Sequence, residues 1–167
     1  MKKLPQDILN MREIILKTIP RNLFDKNGIW IHYRESLRLD YMTTAKYHKQ
    51  ILLYAQDLLA PLADKESCRQ KKTKWRNTMF CPKAPYGNYY WAFHCHMVQE
   101  IIWLRPEFIT GFVYGNGKDL DKKRESPYKD YGARDLSWDM GYILGLCWCY
   151  RPEKIKEWVK LKGGKYV

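Results

Sequence analysis

Between Tyr86 and Pro106 the chain reads Tyr-Gly-Asn-Tyr-Tyr-Trp-Ala-Phe-His-Cys-His-Met-Val-Gln-Glu-Ile-Ile-Trp-Leu-Arg-Pro, and this stretch constrains the fold most. Asn88 is a good N-cap, because its side chain accepts from backbone N–H groups that the first helical turn leaves unpaired. Pro106 disfavours helical geometry at the residue before it, so the helix is expected to stop near Leu104. Nearly every position between these marks is apolar or aromatic, and a helix apolar all round is a buried one. His96 and Glu100 are four apart and share a face, whereas His94 points elsewhere.

The other segments are expected to pack around that helix. Residues 5–18 carry Ile8, Met11, Ile14, Ile15 and Thr18 on one stripe, ended by Pro20. A second helix runs from Thr43 or Thr44 to Leu59, with Tyr47, Ile51, Tyr54, Ala55, Leu58 and Leu59 as its buried face and Pro61 as its stop. A fourth, capped by Asp135 or Ser137, carries Trp138, Tyr142, Ile143, Leu146 and Trp148 up to Arg151-Pro152. The last spans Pro152 to Lys162, with proline at its permitted first position and Gly163-Gly164 as its stop.

After the turn signal Asn27-Gly28, Ile29 to Arg34 alternates as a strand would; Phe108 to Tyr114, with β-branched and aromatic residues, is its expected partner. The expected fold is therefore mainly α (α+β): one domain over 1–167, a compact bundle of about five helices with a small two-stranded β element. Arg-Pro-Glu occurs at both 105–107 and 151–153, but the flanking residues do not align as a repeat.

Thirty Lys and Arg against eighteen Asp and Glu give a formal net charge of +12, a field that attracts anions. Nucleic acid is the first partner this implies, DNA before RNA, with an acidic protein or an anionic membrane surface as alternatives. No apolar run approaches the ~18 residues of a membrane span, and Pro5, Gln6 and Asp7 interrupt any signal-peptide core. Five cysteines without a CxxC pair fit a reduced cytoplasmic setting, and Cys147 and Cys149 read as small core residues.

The densest local signal is Lys65-Glu-Ser-Cys-Arg-Gln-Lys-Lys-Thr-Lys-Trp-Arg-Asn77. Six of these thirteen residues are basic. Within it Arg69, Lys71, Lys72, Lys74 and Arg76 can meet phosphates, and Trp75 can stack on an exposed base; the bland alternative is a solvated loop. Lys122-Lys123-Arg124 is interrupted by acids. Lys154, Lys156, Lys160, Lys162 and Lys165 suit either a phosphate track or a wet helix face. Cys81, His94, His96 and Glu100 offer metal-ligand atoms, but no pair has a recognised spacing, so no metal or cofactor is expected. For acid–base chemistry the candidates are His32, His48, His96 and Glu100, with Glu35 beside them, should the fold gather them at a pocket. Gly115-Asn-Gly-Lys118 reads as a hairpin turn rather than a phosphate cradle, because it lacks the Walker spacing.

Lys49-Gln-Ile-Leu-Leu-Tyr-Ala-Gln-Asp-Leu-Leu59, Asn88-Tyr-Tyr-Trp91 and Tyr114-Gly-Asn-Gly-Lys118 together resemble, in order, segments of a family of small phage-borne proteins labelled pyrimidine-dimer DNA glycosylases. The likeness covers about residues 45–120. It departs from the family pattern at His48, which is displaced from a Lys-His pair, and in the longer interval from Trp91 to Tyr114. The resemblance implies base excision through an imine formed by an amine, which in such glycosylases is the chain's own N-terminus, exposed by removal of Met1. Lys2 is too large to favour that removal, so the likeness implies a viral DNA-metabolism setting more than that mechanism. An enzyme acting on a base, a phage inhibitor or adaptor docking on an acidic host protein, and a particle component are the other classes the sequence leaves open.

Overall fold

The computed structural model describes residues 3–18, 21–23, 26, 49, 51–53, 55–56, 91–117, 126–128 and 133–166, and the backbone alone of 18, 23, 91–96, 133 and 164–166. The elements are α1 (Gln6–Thr18), a 3-10 turn (Arg21–Leu23), α2 (Trp91–Ile102), α3 (Pro106–Asn116), α4 (Ala133–Trp148) and α5 (Pro152–Tyr166). Residues 49, 51–53, 55 and 56 are also helical; there Ile51 and Ala55 are buried as expected, and Leu52 is buried beside them. Tyr47, Tyr54, Leu58 and Leu59 lie outside the described residues, as does the expected strand 29–34.

There is no strand among the described residues, and the expected strand at Phe108–Tyr114 is part of α3. Three local causes outweigh its β-rich composition. Pro106 sits at the first helical position with φ already suitable, and Glu107 places a negative charge at the positive end of the helix dipole. Thr110 donates its hydroxyl to Pro106 O at 2.8 Å, which suits a β-branched residue to the helix. The third cause is tertiary: Phe108, Gly111, Phe112 and Gly115 form a buried stripe at helical spacing. Gly115 and Asn116 are consequently the last residues of a helix, not a hairpin turn, with Gly117 its extended C-cap.

That stripe meets α4 with almost nothing between the backbones. A Cβ on Gly111 would stand 2.0 Å from Trp138 O, and one on Gly115 2.3 Å from Tyr142 O. Reciprocally, Gly141 opposes Phe108 O at 2.0 Å and Gly145 opposes Phe112 O at 2.6 Å. Residue numbers rise together along both helices, so α3 and α4 run parallel. Each helix thus carries Gly-x-x-x-Gly on the contact face, the spacing that lets helix backbones approach closely. In lipid this pattern is common; here no helix among the described residues is long and apolar enough to cross a membrane.

Every residue of α4 from Asp135 to Trp148 is buried, so α4 is the middle of the fold. The described side chains of α2, Met97 to Ile102, are buried as well, in keeping with an all-round apolar helix. α1 packs on α2 through Ile8, Met11 and Ile15, while Ile14 is exposed instead of joining that stripe. α4 begins at Ala133, which places Asp135 and Ser137 inside the helix rather than at its cap. α5 continues through Gly163 and Gly164 to Tyr166, past the expected stop.

The two Arg-Pro-Glu sequences make the same corner. Pro106 excludes helical geometry at Arg105, whose φ −57° and ψ 130° are extended. The chain therefore leaves α2 through Leu104 at φ 51°, and it leaves α4 through Tyr150 at φ 56°. Arg105 N donates to Glu100 O at 3.2 Å, and Arg151 N to Leu146 O at 2.9 Å, the six-to-one closure of a helix ending in a left-handed residue. Such a conformation costs a non-glycine residue roughly 1–2 kcal/mol. Packing of the Leu104 and Tyr150 side chains against the core offsets that cost. The corner therefore recurs although the flanking sequence does not.

Candidate nucleic-acid interface and the polar groups of the scaffold

Arg69, Lys71, Lys72, Lys74, Trp75 and Arg76 lie outside the described residues, and so do His32, Glu35, His48 and Cys81. His94 and His96 have described backbone only, on the first two turns of α2. Glu100 is the one acid–base candidate whose side chain is described.

Glu100 is 7% exposed, and its Oε2 accepts from Ser137 Oγ at 2.8 Å, joining α2 to α4. Burial pushes its carboxyl above the ordinary value; Ser137 and the positive charge of Arg105 pull the other way, and Glu107 adds to the rise. Chemically, the site is a partly desolvated carboxyl held by a hydroxyl, one turn after His96. Among the described residues no three His, Cys, Asp or Glu side chains gather to hold a metal ion.

A second buried polar contact lies on the other side of α4. Lys162 Nζ stands 3.0 Å from Asp139 Oδ2, with both side chains almost fully buried. Lys162 is therefore not part of a solvent-facing phosphate track, and α5 presents fewer cations than its five lysines imply. On the same helix Lys154 pairs with Glu157 and Lys156 with Glu153, each at 3.3 Å. On α1, Lys17 pairs with Glu13 at 2.8 Å and holds that exposed carboxyl below its usual range.

The scaffold arginines also have local roles. Arg12 Nε donates to Ile102 O at 3.0 Å, and Arg151 donates to Gly115 O at 2.9 Å and also to Gly117 O. Both thereby neutralise the negative C-terminal end of a helix, α2 in one case and α3 in the other. Arg134 lies over Tyr128 and Arg105 over Trp103, at 4.7 and 4.9 Å from the ring centres. Asn116 ties three segments together, donating to Asp7 Oδ2 at 2.7 Å and accepting from Cys149 Sγ. Burial raises the Cys147 thiol well above its ordinary value, which makes it an inert core group as its sequence context implied.

Sequence reasoning passed over the Asp139–Lys162 pair, although a signal existed. Asp139 is the one charged residue between Leu136 and Trp148, and a charge inside an apolar run requires a counter-ion. Lys162 continues the buried stripe of Ile155 and Trp158 at helical spacing, which separates it from the other lysines of α5. Ser137, Arg12 and Arg105 carried no comparable sign. Comparison with known protein families, curated proteins and solved structures finds no match for this chain.

Proposed function

We propose that this chain binds nucleic acid, DNA in the first place, through the basic segment 65–77. The observation that carries the reading is charge density: six cations and Trp75 stand against a single acid, Glu66. Supporting it, Lys17, Lys154, Lys156 and Lys162 of the described helices pair with carboxylates, and Arg12 and Arg151 cap helix ends. Those cations are engaged within the scaffold, and segment 65–77 is the densest basic run of the chain. Arg69, Lys71, Lys72, Lys74 and Arg76 neutralise phosphates and release counterions, while Trp75 stacks on an unpaired base. The likeness to phage-borne DNA glycosylases points to the same class of ligand and to a viral setting.

A salt titration of duplex affinity tests the reading. Each phosphate contact contributes roughly −0.9 to the slope of log affinity against log salt. Neutralising all five cations together should therefore flatten the slope by up to about 4.5. If the neutralised variant binds as tightly as the wild type, the segment is not the interface.

One observation favours a second reading, an enzyme acting on a DNA base. Glu100 is a carboxyl raised by burial, one helical turn after His96, and a proton donor at neutral pH needs such a shift. Incubation with labelled DNA separates the two readings, since an enzyme alone leaves a changed base, an abasic site or a nick. An enzyme of this kind loses that product on Glu100→Gln while keeping its affinity for DNA.

A further inference from the structure

Trp103 sits on the α2–α3 corner with 38% of its surface exposed, directly after a helix whose described side chains are buried. The corner itself causes this. Leu104, in its left-handed conformation, turns its side chain toward the core, and the residue before it is left outside. Arg105, also exposed, lays its guanidinium 4.9 Å from the Trp103 ring centre. A second guanidinium arrives from another helix: Arg12 of α1 bonds the carbonyl of Ile102, the residue next to Trp103. One cation thus lies over an exposed indole, and a second is bonded to the backbone of the residue before it.

The geometry points to a second nucleic-acid contact here, a stacking site for one unpaired base on Trp103, with the exposed Arg105 beside it for an adjoining phosphate. The inference rests on the nucleic-acid reading above and locates a contact on the rigid scaffold, apart from segment 65–77. Exposed aromatic rings among cations are how single strands are held without sequence preference, because every base offers a π-face. Arg105 stacked on the indole already restricts its rotamers, so less ordering remains to be done on binding. Two carboxylates lie near this corner, Glu100, which is buried and bonded to Ser137, and Glu107 in the first turn of α3.

The experiment compares the full chain with Trp103→Ala and Trp103→Phe, using oligo(dT) and a duplex of equal length over a range of salt. Trp103→Ala should weaken oligo(dT) binding roughly 5- to 150-fold, the span of one stacked base, without changing the salt slope. Trp103→Phe should retain most of the affinity, and duplex binding should be unaffected because paired bases hide their faces. A thermal melt confirms that each variant is folded, and Trp103→Phe keeps the test decisive if the alanine variant is not. If wild type binds DNA, the 65–77 variant loses it and Trp103→Ala does not, the stacking site is wrong and the basic-segment reading stands. If wild type binds neither DNA at low salt, both fall. If Trp103→Ala instead abolishes binding to poly-glutamate with oligo(dT) unaffected, the corner serves an acidic protein and the inference is overturned.

Discussion

Replacing Gly141 by alanine adds one methyl group where α3 and α4 approach most closely. That Cβ would lie 2.0 Å from Phe108 O and 2.9 Å from both Phe108 C and Phe112 N. Comfortable non-bonded separations are about 3.5–4.0 Å, so α3 and α4 must part by more than an ångström. All three obstructing atoms are backbone, and no side-chain rotation relieves them. Parting the helices loosens Phe108, Phe112, Trp138 and Tyr142 at once, and overpacking of this kind costs about 1–3 kcal/mol or more. Alanine returns about 1 kcal/mol of helix propensity, which is smaller than the expected loss for two whole helices. We expect a net loss of about 2 kcal/mol, or a Tm lower by about 4–8 °C. Gly163→Ala is the internal control: it also lies inside a helix, and nothing stands within 4 Å of its would-be Cβ. That variant should gain about 0.5–1 kcal/mol. Thermal and urea denaturation of both variants read the contrast directly. Equal stabilisation by the two substitutions would refute the close α3–α4 approach.

Lys162→Met should destabilise by about 3–5 kcal/mol in urea denaturation, because it strips a buried carboxylate of its ammonium, and Asp139→Asn on that background should restore part of the loss. Glu100 gives a pH dependence: its folded pKa is raised, so the native state holds more protons than the unfolded chain, and its contribution declines as pH climbs above the ordinary value of 4.5. Glu100→Gln, which can still accept from Ser137, should therefore gain stability relative to wild type as pH rises through that window; a difference independent of pH would show that Glu100 ionises without cost.

The helical segments were legible because their signals are local. The stripe Ile8, Met11 and Ile15, and the prolines that open α3 and α5, can be read within a few residues of one another. Phe108–Tyr114 was misread because its decisive contact is not local. Phe-Ile-Thr-Gly-Phe-Val-Tyr carries β-favouring side chains, and Gly111 counts against a helix when α3 is considered alone. The glycine becomes favourable only when a second helix bearing the same spacing lies against it, and that partner, Gly141-x-x-x-Gly145, is thirty residues away. β-propensity is a statement about surroundings, and here the surroundings are another helix.

The same reasoning separates the legible from the illegible in the candidate site. A run of like charges such as 69–76 is visible in any sequence, since it needs no partner to be recognised. A buried pair needs two positions chosen together. Asp139 announces a missing cation, yet five lysines on α5 compete for the part until helical phase selects Lys162. The corner at Leu104 was foreseen only as an ending. Proline at 106 says where a helix stops, but the stop is reached through a left-handed leucine whose side chain enters the core, and that choice turns Trp103 outward. At Tyr150 the same corner places Cys149, not tryptophan, at the equivalent position, where it is half-buried and bonds Asn116. One backbone device thus yields a structural tie at one end of the scaffold and an exposed aromatic at the other, and the residue preceding the left-handed one decides which.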